Sequence, residues 1–454
     1  MTTDARRITD RRPAGYTDAL DALAERGRFG IRLGLGRTRA LLRELGDPQR
    51  SIRGALVAGT NGKGSVLALA GSVLRAAGLK VGETPKPHLV TYRERMQIGG
   101  RPVDPETFAK LVGDALTAAD RIPRRLGDPT EFELLTAMVF RWFADEGVDL
   151  ALVEVGLGGR LDATHVWDGG VAAITNVDLD HTEQLGTTIP AIAREKAAII
   201  ERGDVAVTGA SGEALAVVRR RARRLGVPLT IVQPAAVVGL SRDGIDVSLP
   251  RMGPTRVGLR GRHQAANVAV ADAILDALET AGIALAPDAA RREGYATVRW
   301  PGRLELIDVG GRDVLLDGAH NPAGAAALAI ALDDLRPFLA PGPITLVTAS
   351  MADKDVDGVV AALLGSGTLA GAHILATQLD NPRALPAATL AARWRMAASG
   401  IEVTVEPDAD AALDAALGAA TGPIVVAGSL YLVGLARARF VDDPLFRDPT
   451  PVGS

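Results

Sequence analysis

Gly59, Gly62 and Gly64 punctuate the stretch "AGTNGKGS", with Lys63 and Ser65 set between them. An apolar run, "GALVA", precedes the turn, and a segment of helical period follows it. Phosphate binding needs several backbone N–H groups aimed at one point, which glycines permit, and a helix N-terminus whose dipole favours anions. Asn61, Gly62, Lys63, Gly64 and Ser65 meet that description, with Lys63 supplying a cation for β- and γ-phosphates and Ser65 a hydroxyl for Mg²⁺. The strict P-loop pattern is not met, because Val57 stands at its first glycine and Gly64 separates Lys63 from Ser65. A turn that serves packing alone is the competing reading.

Other residues of chemical interest sit at strand ends. Glu154 closes the apolar run "LALVEV", so its carboxylate emerges at the carboxyl edge of a parallel sheet, where a hard oxygen ligand suits Mg²⁺. His181 follows "VAAITN" and can face the same crevice. A water-exposed strand-end glutamate and a loop histidine are the plain alternatives. Asp317 ends the run "DVLLD", with His320 three residues on, and Arg303 in "WPGRLE" can screen phosphate charge or serve only as a linker salt bridge. Lys196, in "REKAAII", reads by itself as a solvated helix lysine.

These residues need a frame that brings strand ends together. Short apolar runs alternate with longer helical segments, the pattern of βαβ units and a mainly parallel sheet. Strands are expected at "GALVA", "DLALVEV", "VAAITN" and "DVAVTG", with helices over residues 64–77 and 131–146. A second series, "DVLLD", "PITLVTA", "GAHILATQ", "IEVTVE" and "PIVVAGS", follows the Pro-Gly pair in "VRWPGRLELI", which places a boundary between 1–298 and 299–454. The end, "DDPLFRDPTPVGS", reads as a loose tail.

Composition narrows the classes. With 454 residues, two or three cores are expected. A net charge of -3 carries no nucleic-acid footprint. The absence of cysteine removes disulfides, thiolate metal sites and cysteine nucleophiles, and suits the cytoplasm. The N-terminus "MTTDARRITDRRPAGYTD" lacks the apolar core of a signal peptide, and no apolar run reaches the roughly 18 residues of a membrane span.

The run "AGTNGKGS" resembles the ATP-binding loop of the Mur ligase superfamily, and its "NGKGS" form is similar to the folate branch, the dihydrofolate synthase and folylpolyglutamate synthase family. "HLVTYRERMQIGG", "TEFELLTAMVF", "VEVGLGGRLDAT", "HQAANVAVA", "WPGRLE", "LDGAHNPAG" and "GSLYLVGLAR" follow in that family's order, so the resemblance covers residues 30 to 440. It implies an α/β protein: a P-loop, Mur-ligase-like domain with a parallel-rich sheet that binds ATP and folate, then a smaller Rossmann-like C-terminal domain that binds glutamate. The implied activity is that of an acid–amino-acid ligase, joining L-glutamate to dihydropteroate or reduced folylpolyglutamates through an acyl phosphate. ATP is the co-substrate, with one or two Mg²⁺ ions, in a monomer that takes small molecules and neither nucleic acid nor membrane.

Residue by residue, the resemblance assigns Glu154 and His181 to the metal, beside the Ser65 hydroxyl already read from the glycine turn. It gives Lys196 a carbamylated side chain, with Ala198 where the family usually has glycine, and gives Asn267, Arg303 and Asp317 contacts to ATP. Lys63, Lys196 and His320 are the candidate catalytic residues. Thr130, Glu131, Phe132, Glu133, Leu161, Asp162 and Ala163 map onto the pterin contacts, where Phe132 offers a ring face. Thr130 and Glu133 also read as a capping box, compatible with that role.

Two departures stand out. In "TPKPHL", Lys86 occupies the position of a family serine that ligates Mg²⁺, and an ammonium has no lone pair to do so. Either Lys86 replaces the charge of one ion, or it turns to solvent and Thr84 or water serves. "DATH" replaces "DATN", which puts His165 near the pterin contacts. Two alternatives to a folate ligase remain: a Mur-type ligase for another carboxylate, and a non-ligase P-loop nucleotide-binding protein. A dinucleotide oxidoreductase is disfavoured, since neither "RLGLGR" nor "VGLGGR" completes G-x-G-x-x-G.

Overall fold

A computed structural model describes residues 13, 15–27, 30 and 32–449. Packing groups the chain discontinuously. One compact unit combines the described residues up to Val232 with Val270–Pro287 and the tail from Leu445; the other combines Gln233–Ala269 with Asp288–Pro444.

The first unit is built on eight strands: β1 (Gly54–Ala58), β2 (Val81–Thr84), β3 (Gln97–Ile98), β4 (Arg101–Pro102), β5 (Leu150–Glu154), β6 (Gly170–Ile174), β7 (Val205–Thr208) and β8 (Leu229–Ile231). Their order is β4-β3-β2-β5-β1-β6-β7-β8. The strands from β2 to β8 in that order are parallel, and the short β3–β4 hairpin closes one edge antiparallel. β1 and β5 are buried at every position, which is why they read as continuous apolar runs rather than alternating ones. β5 and β6 flank β1, so the chain reverses direction across the sheet there. The reversal opens a crevice at the strands' carboxyl ends, where the glycine turn, Glu154 and the loop after β6 all emerge.

The helix Lys63–Ala76 starts one residue before the expected position, and Glu131–Asp145 begins where the capping box places it. Both halves of that box are formed: the Thr130 hydroxyl accepts from the Glu133 N–H, and the Glu133 carboxylate accepts from the Thr130 N–H. Leu134, Met138, Phe140 and Phe143 of this helix sit in the first unit's core.

The second unit contains a three-stranded antiparallel sheet, β9 (Ala236–Ser241), β10 (Gly244–Leu249) and β11 (Gly253–Val257), ordered β11-β10-β9. Its larger sheet has six strands: β12 (Glu305–Val309), β13 (Arg312–Leu316), β14 (Thr345–Thr348), β15 (His373–Ala376), β16 (Glu402–Val405) and β17 (Ile424–Ala427). They run β12-β13-β17-β14-β15-β16, with β12 alone antiparallel. Asn321 caps the helix Pro322–Leu335 directly after Asp317, because its side-chain oxygen accepts from the Gly324 N–H at 2.8 Å.

The tail expectation is corrected for residues 442–449. Arg93 donates to the carbonyls of Leu445 and Arg447, and Asp448 accepts from Thr91. Residues 450–454 lie outside the described chain, as does most of the segment read for a signal peptide. No helix among the described residues is long and apolar enough to cross a membrane.

Candidate active site

The glycine turn is held by the loop that follows β6. Asn61 donates its N–H to Asn176 Oδ1 (2.9 Å), the Thr175 hydroxyl donates to the Asn61 carbonyl (2.7 Å), and Thr60 Oγ1 accepts from the Asp178 N–H (3.0 Å). At Gly59 a Cβ would lie 1.8 Å from Thr175 Oγ1, so no side chain fits. Gly62 has φ of +80° and forms the N-cap, whose carbonyl takes the first helical bond from Val66. The following amides have no helical partner of their own and point out of the helix N-terminus.

Two lysines converge on one carbonyl. Lys63 Nζ donates to the oxygens of Gly59 and Thr60 (both 3.1 Å), and Lys196 Nζ donates to the same Gly59 oxygen at 2.8 Å. Lys196 is 4% exposed, so it is no solvated helix lysine. Burial, followed by repulsion from Lys63, lowers its pKa to about 7 against the attraction of Asp180, Asp162 and Asp178.

Lys86 turns inward, which removes the solvent-facing alternative. Its N–H donates to Glu154 Oε2 (2.8 Å), its amine donates to the Glu154 carbonyl (2.5 Å), and that amine lies 5.2 Å from the Phe132 ring centroid. Burial lowers its pKa to about 8, opposed by Asp162 and Glu154. Lys86, Phe132, Thr84, Arg95 and Thr164 line a small cleft with apolar inner walls that include Val139 and Phe140. Thr84 Oγ1 is buried with no hydrogen-bond partner. Gly156 is a residue that sequence reasoning missed: a Cβ there would come within 2.7 Å of Phe132 Cζ and 3.1 Å of Asp162 Oδ2.

The predicted pterin contacts are brought together in part. Glu133 is buried and engaged with Arg37 Nε at 2.8 Å, and Asp162 accepts from the N–H groups of Leu157 (2.8 Å) and Thr164 (3.0 Å). Ala163 is buried, whereas Glu131, Phe132 and Leu161 keep partial exposure. His165 is turned toward the backbone: its Nδ1 faces the Arg160 carbonyl at 3.1 Å, while its buried Nε2, 3.2 Å from a Glu201 oxygen, makes no hydrogen bond.

For a metal, Glu154 and Ser65 are buried oxygen donors in the crevice, while His181 has φ of +50° and a side chain 42% exposed, 3.9 Å from Asp180. Among the described residues no three histidine or carboxylate side chains form a group able to hold an ion. That donor set fits Mg²⁺, which takes one or two protein oxygens and completes its shell with phosphate and water, and does not fit an all-protein cage.

The second unit holds its own cluster. Asp317 accepts from the N–H groups of Leu304 and Ala319, both at 2.9 Å. Burial raises its pKa, with Arg303 and these amides pulling it back. A Cβ at Gly318 would collide with Arg303 and Leu430, so the turn after Asp317 closes tightly on both. His320 Nδ1 faces the Gly318 carbonyl at 2.8 Å, and Asn267 donates to the buried Gln264 at 2.8 Å. His263, absent from the sequence reading, lies next to Gln264 with a buried Nδ1 that has no partner; its position beside "QAAN" was the available signal.

Comparison with known proteins extends over both units. Residues 57–275 match the Mur ligase middle domain, and residues 302–430 match the Mur ligase glutamate ligase domain. A dihydrofolate synthase/folylpolyglutamate synthase of Bacillus subtilis (strain 168) is 36% identical over 380 residues, covering 81% of this chain and 86% of its own. The structure of Mycobacterium tuberculosis folylpolyglutamate synthase complexed with ADP and AMPPCP superposes with a TM-score of 0.83 at 33% identity, covering 94% of this chain and all of that one. A bifunctional folylpolyglutamate synthase/dihydrofolate synthase from Yersinia pestis CO92, complexed with AMPPNP and a manganese ion, gives 0.78 at 29% identity, covering 95% of this chain and 99% of that one.

Proposed function

We infer that this chain, which belongs to the dihydrofolate synthase/folylpolyglutamate synthase family of Mur ligases and is an ATP-dependent ligase that adds glutamate, forms its amide bond by first phosphorylating a folate carboxylate. The observation that carries the reading is the glycine turn with Lys63 at a helix N-terminus, its amine resting on neutral carbonyls. A phosphate oxygen is a stronger partner than either carbonyl, so bound ATP draws the amine onto the β- and γ-phosphates.

A carboxylate cannot release oxide, so a carboxylate oxygen attacks the γ-phosphorus and ADP leaves. The glutamate amine then attacks the acyl carbon, phosphate leaves with the bonding pair, and the nitrogen loses a proton. Asn61, Gly62, Lys63, Gly64 and Ser65 hold the phosphates, with Asn267, Arg303 and Asp317 as the contacts contributed from the later part of the chain. Ser65 and Glu154, with His181, would hold Mg²⁺, which would supply charge neutralisation at the transferring phosphoryl group. Thr130, Glu131, Phe132, Glu133, Leu161, Asp162 and Ala163 orient the pterin, and His320 assists at the glutamate amine. Residues 1–298 serve folate and most of the ATP contacts, and 299–454 add Arg303 and Asp317 and serve glutamate, in a cytoplasmic monomer that accepts dihydropteroate and reduced folylpolyglutamates.

Lys196, with its pKa lowered to about 7, presents a neutral amine at slightly alkaline pH. That lone pair adds to CO₂ with loss of one proton, which turns a buried cation into an anion near the metal. Lys86, protonated below about pH 8, supplies a positive charge beside Glu154 in place of one ion. Manganese bound in the presence of AMPPCP, counted by electron paramagnetic resonance, is then one ion per chain, and Lys86→Ser raises the count to two. Two ions in the unaltered protein remove the idea.

The deciding experiment is glutamate-dependent phosphate release from ATP with Mg²⁺, run with dihydropteroate and with tetrahydrofolate. Release with both is expected. Release with neither, from folded protein that binds AMPPCP, sends the search to another carboxylate.

A further inference from the structure

The segment 86–95 behaves as one block. Glu94 accepts from the N–H groups of Leu89 (2.9 Å), Val90 (2.7 Å) and Thr91 (2.8 Å), and Arg95 Nε donates to His88 Nδ1 (2.8 Å). The His88 ring packs on Tyr92 with centroids 4.3 Å apart. Lys86 fastens the block's inner end to Glu154. Its outer end is fastened through Arg93, which is 4% exposed and donates to the carbonyls of Val103 (3.1 Å), Leu445 (3.1 Å) and Arg447 (2.8 Å).

A buried guanidinium needs a counter-charge, and the carboxylate paired with Arg93 is Asp448, 3.4 Å from Nε. The same Asp448 oxygen accepts from the Thr91 hydroxyl at 2.5 Å, while Tyr16 OH lies 3.0 Å from that hydroxyl. Tail, loop and first helix therefore meet at one buried cation. Asp448 itself keeps a side chain 35% exposed, so it contributes little to the apolar core.

We propose that the tail Leu445–Asp448 is a positioning element for the substrate pocket: by neutralising and orienting Arg93, Asp448 fixes the block 86–95 and so sets Lys86 against Glu154 and Phe132. Asp448 and Arg93 are positioning residues, acting through Lys86 and Arg95, which line the pocket. The consequence for folate rests on the function proposed above.

The test compares the full chain with Asp448→Asn, Asp448→Glu and a chain ending at Pro444. Hydrogen exchange of residues 86–95 should accelerate in Asp448→Asn and in the shortened chain while residues 59–65 exchange as before. In the same two proteins KM for the folate substrate should rise, by up to about 10²-fold, the scale of a 1 Å misplacement at a distance from the chemistry, with the AMPPCP dissociation constant unchanged. Asp448→Glu should recover most of the loss. Unchanged exchange in 86–95 overturns the positioning role, and faster exchange with an unchanged folate KM reduces the tail to a structural clasp, which also overturns it. Should the unaltered protein turn over no folate, the function reading falls, and the exchange data still judge the clamp. Asp448→Asn changes a partly exposed side chain, so it keeps the test open if the shortened chain does not fold.

Discussion

The two compact units store their charges in opposite ways. In the first unit, three amines rest on main-chain carbonyls: Lys63 and Lys196 on Gly59, Lys86 on Glu154. In the second unit a carboxylate, Asp317, rests on main-chain amides. A carbonyl is a weaker partner for an ammonium than a phosphate, so Lys63 is lent to the protein and claimed by ligand. Asp317 already holds two charge-assisted bonds and fixes the turn that carries Arg303 and His320. One region is built to exchange partners and the other to keep them.

Substitutions can break that contrast. The largest effect is expected for Lys63→Ala: kcat for phosphate release falls on the order of 10²–10³-fold, with the melting temperature unchanged. A fall in melting temperature as large as that of a core substitution would show that the amine is structural after all.

Next is Lys196→Ala, with a loss of about 10²-fold and partial recovery by added acetate. Because the amine is protonated below about 7 and neutral above it, activity of the unaltered protein should climb through that region and respond to bicarbonate. A ¹³C carbamate signal with labelled bicarbonate should be present in the unaltered chain and absent in the variant. Its absence from both would leave Lys196 as a plain donor to Gly59.

The smallest effect belongs to the second unit. Asp317→Asn keeps one acceptor but turns an NH₂ toward a backbone N–H, costing about 1–3 kcal/mol of stability together with activity. Denaturant melts would read it. Loss of activity with no loss of stability would place Asp317 with the exchangeable groups and dissolve the contrast.

Much of this was legible because it is local. The strand–turn–helix at Gly59–Ser65, the strand-end carboxylates Glu154 and Asp317, and the Thr130–Glu133 box each follow from a few adjacent residues. The sheet β9–β11 was missed although Asp243-Gly244 between two apolar runs is a hairpin signal, because β9 exposes Val237 and Val238 and so lacks the alternation of a half-buried strand. The direction of Lys86 was open, since only the folded approach of Glu154 and Phe132 decides it. The tail was misread for a related reason: Asp448 finds its partner 355 residues earlier in the chain, at Arg93.

The discontinuous grouping of the chain also bears on how such a protein can be rearranged. The chain passes between its compact units at Val232, at Ala269, at Pro287 and again at Pro444. A single cut at residue 298 would leave Arg242 and Arg262 on one fragment and their partners Asp313 and Asp334 on the other. Neither fragment would hold a complete unit. Recombination between relatives should therefore do best when both partners of these ion pairs come from one parent, because a one-point chimera joined at the Pro-Gly boundary keeps the apolar clusters within 16–229 and 304–427 whole but sets Arg242 and Arg262 of one parent against positions 313 and 334 of the other.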